Sequence, residues 1–339
     1  MTLAPLLAIP LAALLSAGLI LTLRPLLARY ALARPNARSS HTVPTPQGGG
    51  IAVVIALLAV AGGSVLAGVG TASMELLVLA HGAVALAALG AIDDICPLPA
   101  LPRLGVQALV VTGVVMAVGG RLVPEVPLAL ERALSVLAGL WFVNLVNFMD
   151  GLDWMTVAEI VPVCGALVLL GQAGILPAVP SLVAAALLGA MLGFAPFNRP
   201  VAKLFLGDVG ALPIGLVVAW LLYRLALEGG LAAAILLPLY YLADATLTLA
   251  RRALRREPVW QAHRGHYYQR ATENGLSVTA VVARVFCLNL ALAGLAALTL
   301  AQPAWPVILA ALGIGAGLVA ALLLDFARPR RHAAGGLVR

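Results

Sequence analysis

The chain alternates apolar runs of about 20 residues with short polar connections, and that rhythm restricts its fold more than any other feature. The hydrocarbon core of a bilayer needs about 20 apolar residues per helix. By that measure the runs fall near 2–23, 48–69, 74–95, 104–120, 130–147, 156–173, 178–196, 207–227, 231–253, 279–300 and 304–326. About eleven spans are predicted, giving an all-α polytopic integral membrane protein. Residues 1–339 form one transmembrane domain with a basic tail from about 327. Composition agrees, with 62% hydrophobic residues, 10% charged residues and a mean hydropathy of +1.04. A soluble domain carries about 25% charged residues. The first run lacks the basic region of a signal peptide and is long enough to span, so it is read as the first helix. Cys96, Cys164 and Cys287 have no metal-ligand spacing and read as packing residues.

Of the 21 basic residues, 17 lie in the odd-numbered connections and the tail. Lys and Arg concentrate on the cytoplasmic side, which places the N-terminus outside and the C-terminus inside. Orientation thus explains the net charge of +7, and nucleic acid is not an expected partner. No paired broken helices with inverted symmetry, the mark of many secondary transporters, are visible.

The unusual polar residues gather on the same side. Asp93-Asp94 end the third run, just before Cys96-Pro97. Acids at membrane depth tend to mark function, although Asp and Pro also simply stop a helix. The fifth connection holds Asn144, Asn147, Asp150-Gly151 and Asp153; the three-residue spacings share a helical face, and the glycine permits a turn. Ordinary turn chemistry would look similar. The seventh runs from Asn198 through Lys203 to Phe205-Leu206-Gly207-Asp208-Val209-Gly210. Asp208 can cap the eighth helix, or serve Mg²⁺ that itself holds phosphates.

The ninth connection, His263-Arg264-Gly265-His266-Tyr267-Tyr268-Gln269-Arg270, is a donor cluster suited to pyrophosphate. A basic loop resting on anionic headgroups is the other reading, and zinc lacks a third ligand nearby. His41, Pro44, Pro46 and Gly48–Gly50 in the first connection allow the backbone to approach an anion closely. Asp244 lies six residues after Pro238 inside the ninth run, where a kinked helix with an acid facing Arg251 or Arg252 is expected. Together the connections point to phosphoryl chemistry at the cytoplasmic membrane surface.

In order, Asp93-Asp94, Asn147-x-x-Asp150-Gly-x-Asp153, Phe205-Leu206-Gly207-Asp208-x-Gly210 and His263-x-x-His266 resemble the polyprenyl-phosphate N-acetylhexosamine-1-phosphate transferase superfamily, of the glycosyltransferase family 4 type. Pro44-x-Pro46-x-Gly48-Gly49 is similar to its first cytoplasmic signature, so the resemblance covers essentially the whole chain. It implies transfer of a sugar-1-phosphate from a UDP-N-acetylhexosamine to undecaprenyl phosphate, with release of UMP, in the bacterial inner membrane. Mg²⁺ is implied, with Mn²⁺ as an alternative, held by Asp208 with Asn147. Asp93 and Asp94 would lie at the acceptor phosphate and complete the catalytic set with Asp208. Asn147, Asp150, Asp153 and Asn198 would shape the nucleotide-sugar pocket, and His263, Arg264 and His266 would hold the diphosphate. Lys203 and His41 would join the substrate contacts, and a homodimer is suggested.

Three positions depart from the family pattern. Trp154 follows Asp153 where Gly is frequent, Ala211 stands where Ser is usual, and the last loop lacks a His-His pair. That loop looks closer to the branch that initiates O-antigen or related surface polysaccharides. A peptidoglycan-type phospho-MurNAc-pentapeptide transfer is the alternative within the family. Outside it stand a secondary transporter or a non-catalytic polyprenyl-lipid-binding protein.

A phosphate monoester has its second pKa near 6, so the lipid phosphate is mostly ionised at neutral pH. Bringing two anions together is the larger obstacle, which a divalent cation and Arg or His donors offset. Direct attack is expected, with a covalent aspartyl intermediate as the rival.

Overall fold

The computed structural model describes residues 3–33, 44–258 and 263–330. His41, Arg34, Arg38 and Trp260 lie outside the described residues. Among the described residues the regular structure is helical apart from two short antiparallel strands. In chain order the elements begin with α1 (Leu3–Tyr30), β1 (Leu32–Ala33), β2 (Thr45–Pro46), α2 (Gly50–Leu66), α3 (Met74–Ile95), α4 (Ala100–Ala117) and α5 (Leu128–Met149). They continue with α6 (Met155–Gln172), α7 (Ala178–Phe194), α8 (Asp208–Leu225), α9 (Leu231–Leu236), α10 (Leu239–Leu254), α11 (Tyr267–Glu273), α12 (Val278–Ala301) and α13 (Trp305–Ala327).

Among the described residues, eight helices are long and apolar enough to cross a membrane, and α2 and α7 are shorter apolar helices. This is a multi-pass membrane architecture with eight such helices against eleven expected runs: α2 and α7 are shorter, and the ninth run differs in kind. The run expected to span 231–253 is broken. After α8 the chain turns at Glu228 and Gly229, the latter at φ 83°, then forms the six-residue α9 and restarts as α10 after Pro238. Proline lacks the amide that would continue the ladder, so a helix cannot pass through it undisturbed. α10 is itself two-faced, with Asp244, Thr248 and Arg251 at helical spacing.

Burial sorts the helices into a centre and a periphery. The α8–α9 segment is 83% buried and α6 67%, whereas α1 and α13 are each 22% buried and face outward. α7 is buried almost throughout because α1 lies directly on it. Gly189 and Gly193, four apart, face the carbonyls of Ile9 and Ala13; an added Cβ would stand 2.2 and 2.3 Å from those oxygens. Small residues at this spacing let helix backbones meet in lipid.

The strands pin one end of the bundle. Leu32 pairs with Pro46 and Ala33 with Thr45. The Phe205 amide donates to the Pro46 carbonyl at 2.8 Å, and Gly49 and Gly50 donate to Phe205 and Leu206 at 2.9 Å. The stretch leading into α8 is thereby fixed beside Gln47.

Candidate active site

The C-terminal ends of α3 and α5 meet the N-terminal end of α8. Asp94 Oδ1 accepts the Asp208 amide at 3.1 Å, and Oδ2 accepts the Val209 amide at 3.2 Å. A carboxylate at a helix N-terminus satisfies orphan amides and complements the helix dipole. Here the cap comes from another helix, because the N-cap residue itself is Gly207. Gly207 has φ 78° and ψ 167°, and a Cβ on it would lie 2.6 Å from Asp94 Oδ2. Only glycine suits that backbone and leaves room for the carboxylate.

Asp93 points elsewhere. It accepts the Leu98 amide at 2.6 Å and an Nη1–H of Arg103, whose guanidinium also lies 3.8 Å from Asp208 Oδ2. In the sequence Arg103 is one of the basic residues of the odd-numbered connections and nothing more. Its signal was its place in the first turn of α4, which the Pro97-x-Pro99 turn folds back onto the end of α3.

Asn147 Nδ2 donates to Asp208 Oδ2 at 3.0 Å. Asp150, just beyond α5, accepts the Thr156 hydroxyl. A cavity of about 260 Å³ is lined by Asp94, Asn147, Asp150, Asp153, Asn198 and Asp208, with Gln47 and Gln269 on its wall. Burial pushes the Asp150 carboxyl up to about 8 against the pull of Thr156, and the charges of Asp208, Asp94 and Asp153 add to the rise.

Two of the lining residues also tie loops together. Asp153 Oδ2 accepts the Ala202 amide at 2.9 Å. Asn198 accepts the Trp154 amide at 2.7 Å and donates to the Leu204 carbonyl at 3.0 Å. Trp154 has φ 63°, the left-handed region, which explains why glycine is common at this position in the resembling family. Its indole N–H donates to the Ala195 carbonyl at 2.6 Å and helps hold the unusual backbone. Lys203 is exposed and does not line the cavity.

The histidine loop stands beside the cavity without lining it. His263 Nδ1 accepts the Gly265 amide at 3.0 Å, so in neutral His263 the proton is on Nε2. Burial, reinforced by His266, Arg252 and Arg251, lowers His263 to about 4, so it is neutral at pH 7. The His263 and His266 rings stack 5.0 Å apart. Arg251, Arg252, Arg255, Arg264 and Arg270 surround a second cavity of about 320 Å³ together with Glu257 and Glu273.

Asp244 differs from its expected pairing with Arg251 or Arg252. Arg251 donates to the Gly265 carbonyl at 3.0 Å and Arg252 meets Glu257 at 2.8 Å. Asp244 instead receives the amides of Tyr267 and Tyr268 at 2.9 and 3.0 Å. The break at Pro238 and the return of α11 bring these amides to the acid, which the sequence separation concealed.

Residues 76–226, which run from α3 to the end of α8, match glycosyl transferase family 4. The chain is similar to a probable undecaprenyl-phosphate N-acetylglucosaminyl 1-phosphate transferase of Bacillus subtilis, 27% identical over 76% of this chain and 75% of the relative. It is 35% identical to the decaprenyl-phosphate N-acetylglucosaminephosphotransferase of Mycobacterium tuberculosis, over 56% of this chain and 52% of that protein. The chain thus spans about half the length of the mycobacterial decaprenyl-phosphate relatives. A phospho-N-acetylmuramoyl-pentapeptide-transferase of Mycolicibacterium vanbaalenii is 30% identical over 74% of this chain and 82% of the relative. With the helix ends that build the cavity inside the matched region, the chain belongs to the polyprenyl-phosphate N-acetylhexosamine-1-phosphate transferase superfamily, within glycosyl transferase family 4.

Proposed function

We propose that the protein transfers an N-acetylhexosamine-1-phosphate from a UDP-sugar to undecaprenyl phosphate at the cytoplasmic face of the bacterial inner membrane. UMP leaves, and the lipid-linked diphosphate sugar starts a cell-surface polysaccharide. The observation that carries this reading is the convergence of Asp94, Asn147, Asp150 and Asp208 on one cavity at the ends of α3, α5 and α8. A transporter would favour acids near the bilayer midplane, whereas these sit at helix ends.

The donor set fits Mg²⁺. Among the described residues, no three His, Cys, Asp or Glu side chains form a cage for a metal. Mg²⁺ usually takes one or two carboxylates and fills its shell with water and phosphate oxygens. Asp208 would supply a carboxylate and Asn147, whose Nδ2 here donates to Asp208, would supply its oxygen once the amide turns over, a partial oxygen set that Mn²⁺ would share. The bound ion would neutralise charge on the phosphates.

Asp94 and Asp93 act by position. Asp94 holds the start of α8, and Asp93 holds Arg103 beside Asp208. Neither needs to remove a proton from an acceptor that is already mostly ionised. An apolar cavity of about 420 Å³ between α4, α5, α8, α9 and α10 includes Trp141, Phe142, Trp220 and Leu242. Phe142 precedes Asn147 by five residues, about 7–8 Å along a helix, so the isoprenoid tail can lie there with its phosphate near the acids.

The names of the Bacillus and Mycobacterium tuberculosis relatives favour N-acetylglucosamine as the sugar. The coverage of the Mycolicibacterium vanbaalenii relative supports a second reading, transfer of a phospho-N-acetylmuramoyl-pentapeptide. UMP release from purified protein, undecaprenyl phosphate and a panel of UDP-sugars separates the two. Release with UDP-N-acetylglucosamine that a chelator abolishes is expected. Release from no UDP-sugar in the panel overturns the proposal.

A further inference from the structure

We infer that Asp244 is a positioning residue for the nucleotide sugar: it caps α11, which sets Gln269 on the wall of the acid cavity and holds the His263–His266 loop at its side. The inference deepens the transferase reading and rests on it. Asp244 is fully buried. Its carboxylate receives the amides of Tyr267 and Tyr268, the Tyr240 hydroxyl at 3.1 Å and the Thr248 hydroxyl at 3.3 Å. His266 Nδ1 lies 3.3 Å from Oδ1, which makes Nδ1–H the donor and fixes the ring. Among the described residues no arginine lies at salt-bridge distance from it; its partners are donors from its own helix and from a segment 22–24 residues downstream.

The consequences reach the cavity through α11. The Tyr268 hydroxyl donates to the Phe148 carbonyl at 3.0 Å, where α5 ends. A Cβ on Gly151 would stand 2.2 Å from that hydroxyl, so Tyr268 packs directly on the turn that carries Asp150. Gln269, the next residue, lines the cavity. Asp244 therefore links the broken helix to the cavity through backbone amides rather than by touching a substrate. Replacing one carboxylate oxygen by an NH₂ group sets a donor against donors, and the cap cannot re-form unchanged.

The test uses the full chain in lipid nanodiscs. Asp244→Asn is expected to raise KM for the UDP-sugar at least 10-fold, with kcat and the KM for undecaprenyl phosphate within about 3-fold of the parent. A structural role alone would move both substrates and kcat together, and that outcome overturns the inference, as does an unchanged KM. In a double-mutant cycle with Gln269→Ala, the two effects are expected to be less than multiplicative, because one acts through the other. Strictly multiplicative effects count against it. Should Asp244→Asn fail to fold, Tyr268→Phe removes only the hydroxyl and its contacts to the turn from Phe148 to Gly151, and is expected to raise the same KM at least 3-fold; an unchanged value overturns the inference. If the parent releases no UMP from any UDP-sugar, the transferase reading fails instead. Hydrogen exchange then tests the cap itself: faster exchange at the Tyr267 and Tyr268 amides in Asp244→Asn supports it, and unchanged exchange refutes it.

Discussion

The acid cavity and the histidine loop adjoin at one end of the bundle but are held by opposite means. The cavity is made of helix ends that cap one another. Asp94 closes α8, Asn147 steadies Asp208, and Gly207 leaves the space in which they meet. The loop is tied chiefly to one helix, α10, itself broken from its predecessor, through the buried carboxylate of Asp244 and through Arg251 at the Gly265 carbonyl. A cavity built from several packed elements can lose one side chain and keep its shape. A loop tied mainly to one helix moves when its buried tie is cut. The difference predicts chemistry-limited variants in the first region and binding-limited variants in the second.

The largest effect is expected at Asp208. Asp208→Asn keeps the backbone amide that Asp94 accepts, so the fold should persist. If Asp208 serves the transferred phosphate as proposed, loss of its carboxylate removes several kcal/mol of transition-state stabilisation, a fall in kcat of about 10³-fold or more. UMP release under saturating UDP-sugar measures it. A variant with near-parent kcat would end the assignment of Asp208 to the reaction.

Gly207→Ala comes next, because it attacks the architecture of the cavity. The backbone angles there belong almost solely to glycine, and the new methyl would meet Asp94. A cost of about 2–3 kcal/mol is expected, read as a lower unfolding midpoint in detergent. The same methyl in Gly18, which has open space around its Cβ position, serves as the control.

Asp94→Ala is expected to do less to stability, about 1–2 kcal/mol, since it exposes two helix amides without forcing the backbone. Activity should fall along with the melting point, because the start of α8 carries Asp208. Full activity in a destabilised Asp94→Ala would show that the cap and the chemistry are separable, contrary to the interlocked cavity described above.

The same contrast explains what could be read in the sequence. Asp93-Asp94, Asn147, Asp150 and Asp208 were visible because each stands at the end of an apolar run, where a charge interrupts an otherwise uniform pattern. The membrane architecture followed from run length for the same reason. Their division of labour was not visible, because capping Asp208 and holding Arg103 are long-range contacts that adjacent residues give no hint of. Asp244 was hidden more deeply. It lies within an apolar run, and a reading by run length takes Pro238 as a kink within one helix and assigns the acid to the nearest arginines. Its real donors come from α11, a seven-residue helix too short to leave a periodic signal.

The two regions separate most directly in their pH dependence, because their stabilities should tilt with pH in opposite directions. Asp150 is held at about 8 in the folded protein against a reference value of 3.8. Between those values the folded state keeps a proton that the unfolded chain has released, so stability falls as pH rises through that window. His263 is held at about 4 against a reference of 6.5. Here the unfolded chain binds the proton that the folded state refuses, so stability falls as pH drops from about 6.5 to about 4. The two slopes oppose each other below about 6.5, and Asp150 alone acts from there to about 8. Melting midpoints of the parent, Asp150→Asn and His263→Gln, taken across this range at fixed salt, resolve them. Asp150→Asn should leave a curve that rises to about pH 6.5 and then flattens relative to the parent. His263→Gln should leave one that descends more steeply than the parent's on the acid side. Equal tilts in the two variants would mean that cavity and loop titrate as one unit, and the distinction between a self-capped cavity and a loop tied to one helix would have to be abandoned.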